Sequence, residues 1–317
     1  MSDVGYLGRG TAPGKVILFG EHAVVYGRPA LAVPVTRVQA EAVVAPGRPG
    51  CGLSIHAPDV NQVTSLATAE PDNPLAVIAR VTLDALGLAT PPDWTLTVRS
   101  TVPIAAGMGS GAAVSAAIAR ALAAALGRQL APETLSALVY QVERIHHGAP
   151  SGVDNTVVSY GLPVYFVRGE PPQPLSIARP FWLVIADTGV RSSTRVAIDY
   201  VRRAWEGDRS RYDSWFDQIA AIVEAARRAI ETGDVDALGP LMDANQALLR
   251  ALAVSSPELE RLITAALAHG ARGAKLVGAG RGGNMIALVA PEQAEAIAAD
   301  NRAAGAVHTI ITEVGGT

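Results

Sequence analysis

A glycine-rich segment that leads directly into an alanine-rich one constrains the fold of this chain most. Gly107, Gly109 and Gly111 alternate with Met108 and Ser110, and the residues that follow favour a helix. Alternate glycines let backbone N–H groups approach an anion closely, and a following helix directs its unpaired N–H groups and positive dipole end to the same place. The segment therefore predicts a phosphate-binding loop. The competing interpretation is a sharp turn between a strand and a closely packed helix.

Two familiar phosphate motifs were compared with this loop. A Walker A loop is excluded because the Gly-Lys pair at residues 14 and 15 is followed by Val16 instead of Ser or Thr. Gly107, Gly109 and Ala112 fit a dinucleotide-binding pattern. An NAD-dependent dehydrogenase is therefore an alternative function. That class needs an acidic residue about 20 positions further on, at the end of a second strand. Glu133 lies near that distance but begins a predicted helix.

Composition excludes several classes of function. The formal net charge is −3 and aromatic residues make up 5% of the chain, which argues against a nucleic-acid partner. No apolar run approaches the length of a membrane span, so we expect no membrane partner. Cys51 is the single cysteine, which fits a reducing cytoplasm. The oligomeric state stays open, with a homodimer as one form.

Strands and helices alternate along the chain with antiparallel returns, which predicts an α+β fold of two domains. A Gly/Pro-rich stretch at 169–174 is the most linker-like segment, so the domains are placed at 1–174 and 175–317. The predicted strands lie at 15–18, 30–44, 94–99, 164–167, 181–186, 274–277, 285–289 and 308–313. The predicted helices lie at 74–86, 112–126, 132–146, 212–232, 235–252, 257–268 and 292–304.

Polar residues in three clusters are candidates for chemistry. Lys15 stands on an apolar strand, where burial requires an anionic or hydroxyl partner, and Glu21 with His22 follows in a glycine-flanked loop. Glu143 near a helix end and Asp154 beyond a turn can face one pocket, one carboxylate to hold a divalent cation and one to take a proton.

The same segment carries His146 and His147, which lack zinc spacing and favour a helix-terminal role. The third cluster is the glycine-rich stretch 278–283 between two strands, where we expect a ligand to approach the backbone closely.

In this order, the three clusters resemble the signature motifs of the GHMP kinases. The stretch Gly-Glu-His-Ala-Val-Val-Tyr-Gly at 20–27 and the segment from Glu143 to Asn155 are most similar to the mevalonate kinase branch. The resemblance spans nearly the whole chain. It implies a ribosomal-S5-like N-terminal domain and a ferredoxin-like C-terminal domain.

The resemblance also implies the reaction and its residues. ATP and Mg²⁺ would be used to phosphorylate the 5-hydroxyl of mevalonate, in isoprenoid precursor biosynthesis. Asp154 would be the general base, with Lys15 stabilising the alkoxide, and Glu143 and Ser110 would bind Mg²⁺. The implied nucleotide-binding residues are Pro103, Ala106, Gly107, Met108, Gly109, Ser110, Gly111 and Ala112. The implied acceptor-binding residues are Glu21, His22, Thr194, Gly278 and Ala279.

Two positions depart from the family pattern. Gly111 replaces a second serine, so the hydroxyl usually credited with touching the cation is lost. Arg281 interrupts a run of glycines, and either reaches a phosphate or points to solvent. The alternatives within the family are a phosphomevalonate kinase and a mevalonate 3-kinase. A catalytically silent ligand sensor is a third class, against which the intact Lys15, Glu143 and Asp154 argue.

Overall fold

The computed structural model describes residues 5–104, 106–147, 150–191 and 194–316, without the side chains of residues 146 and 147. Strands and helices alternate through these residues, as expected. The strands are β1 (Gly8–Phe19), β2 (Ala30–Pro46), β3 (Ser54–Ala57), β4 (Gln62–Ser65), β5 (Trp94–Ser100), β6 (Val164–Phe166), β7 (Gln173–Pro174), β8 (Phe181–Asp187), β9 (Gly273–Leu276), β10 (Asn284–Val289) and β11 (His308–Val314). The α-helices are α1 (Pro74–Ala85), α2 (Ser110–Ala125), α3 (Pro132–His147), α4 (Val153–Tyr160), α5 (Thr194–Gly207), α6 (Arg209–Thr232), α7 (Leu238–Ala251), α8 (Pro257–Ala268) and α9 (Ala294–Ala303).

Residue contacts divide the chain into two compact units that are not continuous in sequence. The first unit comprises residues 1–14, 38–103 and 109–161, and the second comprises 15–37, 104–108 and 162–317. Strands β1 and β2 each run from one unit into the other, which a single boundary cannot represent. The predicted boundary at 174/175 therefore differs from this division and stays a prediction.

The first unit places four helices on a sheet. Strand β5 pairs antiparallel with β2, where Ala40 lies opposite Ser100, and parallel with β3, which pairs antiparallel with β4. Helices α1 to α4 pack on one another, and α2 also packs on β5. The alanines of α2 are almost entirely buried, because small side chains let neighbouring elements approach closely. The Arg120 guanidinium fixes α2 by donating to Thr11 O and Ser159 O, each at 2.7 Å.

The second unit contains the predicted ferredoxin-like arrangement. Among its described residues, four antiparallel strands lie in the order β11-β8-β10-β9. Numbered along the chain this is order 4-1-3-2, with helical segments between the first and second strands and between the third and fourth. Helix α8 packs on β9 and β10, and α9 packs on β8 and β11. The buried residues of β10 form the centre of this core.

The connection between β1 and β2 also belongs to the second unit. Its Tyr26 ring stacks on Phe216 of α6 with ring centroids 4.3 Å apart, and packs against Trp205 of α5 at 5.1 Å. The motif at 20–27 is therefore held by aromatic packing on the helices of this unit. In the described part of the chain, no helix has the length and apolar character needed to cross a membrane.

Candidate active site

The glycine-rich loop ends where α2 begins. Gly109 precedes the helix with φ at 70°, a left-handed conformation that glycine adopts without strain, and it offers no capping side chain. Ser110 is the first helical residue, and its Oγ donates to Val102 O at 3.3 Å. The first N–H groups of α2 are therefore arranged as at a helix terminus that receives an anion.

A buried carboxylate lies beside the first turn of this helix. Glu143, on the last part of α3, is 4% exposed. A Cβ placed on Gly111 would lie 3.5 Å from Glu143 Oε1, so the carboxylate borders the helix terminus. A carboxylate next to a phosphate-binding terminus creates electrostatic repulsion that a divalent cation relieves. Glu143 and Ser110 carry a carboxylate and a hydroxyl, oxygen donors of the kind that suits Mg²⁺, which commonly uses only one or two protein carboxylates. Their joint binding of a metal stays a prediction.

Gly111 itself lies within α2, where the backbone is helical, and the contact at 3.5 Å is ordinary van der Waals distance. The structure therefore has room for a side chain at position 111, and lack of space does not explain the glycine. Within the described residues, no group of three or more His, Cys, Asp and Glu side chains could hold a metal. The side chains of His146 and His147 lie outside the described residues.

Asp154 occupies the first turn of α4. The sequence placed it beyond a turn, and the structure shows that this turn ends at Gly152, with φ at 96°, and that a helix begins at Val153. Asp154 is partly exposed and lies at the N-terminal end of the helix, where the helix dipole is positive. Helix α4 packs against both α2 and α3, so Asp154, Glu143 and Ser110 are carried by three helices in mutual contact.

Lys15 and the tip of the glycine loop belong to the second unit. Lys15 is 2% exposed on β1, and its backbone N–H donates to Met108 O at 3.0 Å. On the other side, Asn284 Nδ2 donates to Ala106 O at 2.6 Å. The tip of the glycine loop, residues 106–108, is therefore in contact with the segment that contains the stretch 278–283.

That contact is a direct approach of two backbones. A Cβ on Gly107 would lie 3.4 Å from Val277 O, and one on Gly278 would lie 3.5 Å from the Gly107 Cα. The glycines of the third cluster thus contact the tip of the predicted phosphate loop, and Gly278 lies next to it. Ala279 is the next residue along the chain. Whether any of these residues bind a ligand stays a prediction.

Glu21 forms a fully buried ion pair that sequence reasoning missed. Lys275 Nζ on β9 donates to Glu21 Oε1 and, at 2.7 Å, to Leu276 O, while Asn245 Nδ2 lies 3.5 Å from Glu21 Oε2. Burial raises the pKa of Glu21 and lowers the pKa of Lys275, and the charge of each partner opposes the shift of the other. Lys15 and Lys275 are the only lysines in the sequence, and both are buried. The reasoning applied to Lys15, a lysine on an apolar strand, would have found Lys275.

His22 connects the first motif to the third. Its backbone adopts φ 61°, and its Nε2 donates to Ala279 O at 3.0 Å. Burial lowers the pKa of His22 to about 4, opposed by the Ala279 hydrogen bond and assisted by the positive charge of Arg281. The ring is therefore neutral near pH 7. Thr194, the remaining predicted acceptor residue, is partly buried at the start of α5.

We expect His22 to make stability depend on pH. Because its pKa is about 4 in the folded protein and 6.5 ordinarily, the unfolded chain binds the proton more tightly. The unfolding free energy should fall as the pH drops from 6.5 towards 4, by about 3 kcal/mol from this group. Urea titrations across this range should show the slope, and His22→Asn, which tolerates a left-handed backbone, should lack it. The exposed His308→Asn is the control; equal slopes in both variants would contradict the assignment.

Comparison with known proteins adds family information. The model of the GHMP kinases N terminal domain matches residues 73–161, and that of the GHMP kinases C terminal domain matches residues 217–307. A mevalonate kinase of Thermococcus sibiricus is 34% identical, covering 96% of this chain and 95% of its own length. One from Aeropyrum pernix is 36% identical, covering 88% of each chain.

Solved structures give the same picture for the fold. The crystal structure of L. major mevalonate kinase in complex with R-mevalonate superimposes with a TM-score of 0.83 at 29% identity. The match covers 98% of this chain and 96% of that one. The two-domain architecture is therefore shared along nearly the full length.

Proposed function

Because this chain belongs to the GHMP kinase family, and within it to the mevalonate kinases, we propose that it transfers the γ-phosphoryl group of ATP to the 5-hydroxyl of mevalonate. The observation that carries the chemistry is the Glu143 carboxylate beside the first turn of α2. A helix terminus suited to phosphate and a carboxylate suited to a cation meet there, as the binding of a metal nucleotide requires.

Mg²⁺ is the cation we propose at this place, held by Glu143 and Ser110. When bound it would neutralise charge on the β- and γ-phosphates. The backbone of the loop from Pro103 to Ala112 would hold the phosphate chain. With Gly111 in place of serine, the shell would have one protein hydroxyl fewer, and water would complete it, since Mg²⁺ retains several waters readily.

We assign proton removal to Asp154. Phosphoryl transfer leaves little covalent work for the protein, so orientation of the hydroxyl and uptake of its proton are what a carboxylate contributes. Lys15 supplies positive charge to the developing alkoxide. The buried position of this lysine supports the assignment, because a desolvated ammonium interacts more strongly with an anion than an exposed one does.

The acceptor is proposed to lie against Glu21, His22 and Thr194, with Gly278 and Ala279 alongside. The direct contact of His22 with Ala279 supports a common role for the first and third motifs. Lys275 and Asn245 already contact the two Glu21 carboxylate oxygens. Glu21 would therefore act mainly by holding the loop at 20–27 in place for the acceptor. A cytoplasmic location and a homodimer remain predictions from the sequence.

A coupled ADP-release assay with mevalonate, phosphomevalonate and homoserine tests the proposal. Mevalonate alone should support turnover, and the product should carry phosphate on the 5-oxygen by ³¹P–¹H NMR correlation. Preference for phosphomevalonate, or phosphate on the 3-oxygen, would identify one of the sister kinases instead. The absence of turnover with all three acceptors would contradict a kinase of this group.

Removing the proposed metal ligand should weaken the binding of Mg²⁺ more than the binding of the acceptor. In Glu143→Gln we expect the apparent Mg²⁺ affinity to fall by roughly tenfold or more, because one of very few protein ligands is lost. The KM for mevalonate should change much less. Titration of activity with Mg²⁺ at saturating ATP gives the measurement, and Glu133→Gln, exposed on the same helix, is the control. An unchanged Mg²⁺ requirement in both Glu143→Gln and Ser110→Ala would refute the metal site.

A further inference from the structure

Arg281 stands in a backbone conformation that suits glycine better. Its φ is 61°, and its N–H donates to Val254 O at 2.6 Å. A residue with a side chain is disfavoured in this left-handed region, and the glycine run of the GHMP kinase motif avoids that strain. The arginine therefore persists where the backbone alone favours glycine, which points to a role for its side chain.

The guanidinium of Arg281 is positioned but not neutralised. It lies over the Tyr200 ring of α5, 3.9 Å from the ring centroid. Its Nε is buried and has no hydrogen-bond partner. In the part of the chain that the structure describes, no carboxylate is paired with this group. A stacked guanidinium with an unsatisfied, buried N–H is an incomplete site for a planar anion.

The neighbours of Arg281 favour the acceptor over the nucleotide as its ligand. Ala279, two residues before Arg281, accepts the His22 hydrogen bond, and Tyr200 belongs to the helix that begins at Thr194. Both are thus linked to residues proposed to bind the acceptor. The phosphate-loop tip is contacted instead by Gly278 and Gly283, on either side of Arg281 in the loop.

We propose that Arg281 binds the carboxylate of the acceptor, with Tyr200 holding the plane of the guanidinium. A carboxylate accepts two parallel hydrogen bonds from guanidinium, one of which the buried Nε can donate. The inference rests on the proposed function, since mevalonate carries such a carboxylate. On this proposal, Arg281 selects an acidic acceptor and takes no part in the chemical step.

Arg281→Gly is a clean test because glycine suits the backbone there, so the variant should fold at least as well as the original. We expect the KM for mevalonate to rise by roughly 10- to 100-fold, the loss associated with a charge-assisted hydrogen bond. The KM for ATP and kcat should stay within about twofold, and Arg281→Lys, which keeps the charge without the planar fork, should be intermediate.

The matched control uses an acceptor in which the carboxylate is replaced by a hydroxymethyl group, 3-methylpentane-1,3,5-triol. With this neutral acceptor, the original protein and Arg281→Gly should have the same KM. Arg203→Ala removes a charge from the exposed face of α5 and should not alter the KM for mevalonate.

Three results would overturn the inference while the original protein remains active on mevalonate. They are an unchanged KM for mevalonate in Arg281→Gly, a rise confined to the KM for ATP, and an equal loss with the neutral acceptor. The first excludes a role in binding, the second assigns the guanidinium to a nucleotide phosphate, and the third indicates a structural role. Failure of the original protein to phosphorylate mevalonate is a separate result that would contradict the proposed function.

Discussion

Replacing Asp154 with asparagine should lower turnover by roughly 10²- to 10⁴-fold while nucleotide and mevalonate binding stay nearly intact. Asparagine has the same shape but cannot accept the hydroxyl proton, and loss of a general base has effects of this size. It also keeps a polar group in the first turn of α4, so the fold should be retained. Single-turnover kinetics with separate measurement of ligand binding would show whether the chemical step alone is slowed.

The control for this variant is Asp84→Asn, an equivalent change on the exposed face of α1. It should leave turnover unchanged. Retention of more than a tenth of the original turnover in Asp154→Asn would remove Asp154 from the role of base. A large rise in the KM for mevalonate at unchanged kcat would instead make it a binding residue.

Replacing Lys275 with methionine should destabilise the protein by about 3–5 kcal/mol at neutral pH. The ammonium and the Glu21 carboxylate are both fully buried, and removal of one leaves the other charge in the core without its partner. Methionine is close to lysine in size, so little of the loss arises from a cavity. Urea unfolding at pH 7 provides the measurement.

The double variant Glu21→Gln/Lys275→Met separates charge from packing. It should recover most of the stability lost in Lys275→Met, because no buried charge remains. Since burial raises the pKa of Glu21, the lone carboxyl in Lys275→Met is protonated at low pH. The penalty should therefore be small near and below pH 4.5 and grow as the pH rises. A penalty independent of pH, or no recovery in the double variant, would show that the ion pair is not the cause.

Much of the architecture was predicted from the sequence because its elements are long and periodic. The helix Pro257–Ala268 was predicted with the bounds that the structure shows, since a serine cap, a proline and a clear apolar face define it. The four strands β8 to β11 were predicted within one residue of the bounds that the structure shows. Strong local signals and the final packing agree in these segments.

Shorter or weakly patterned elements were missed. Helix α4 is eight residues long and contains several β-branched residues, so its helical propensity is low and packing against α2 and α3 must stabilise it. Helix α5 buries only Ala197 and Val201, which is too narrow an apolar stripe to recognise within a charged sequence. Strands β3 and β4 have four residues each and depend on pairing with neighbours.

The candidate site was predicted by residue type but not by partner. Glycine spacing indicated the loop before α2, and a carboxylate near a helix end and another beyond a turn made Glu143 and Asp154 candidates. The Glu21–Lys275 pair joins residues 254 positions apart, and no local pattern specifies such a contact. Arg281 illustrates the same limit, because its partner Tyr200 lies on a helix that the sequence did not reveal.

The lysine content of the chain has a practical consequence for work in solution. Both lysines are buried, and every other basic side chain apart from histidine is arginine. Amine-directed dyes, cross-linkers and tethering resins will therefore find no side-chain amine on the folded surface. Mass-spectrometric detection of modified Lys15 or Lys275 would report the opening of its own surroundings, without a background from other side-chain amines.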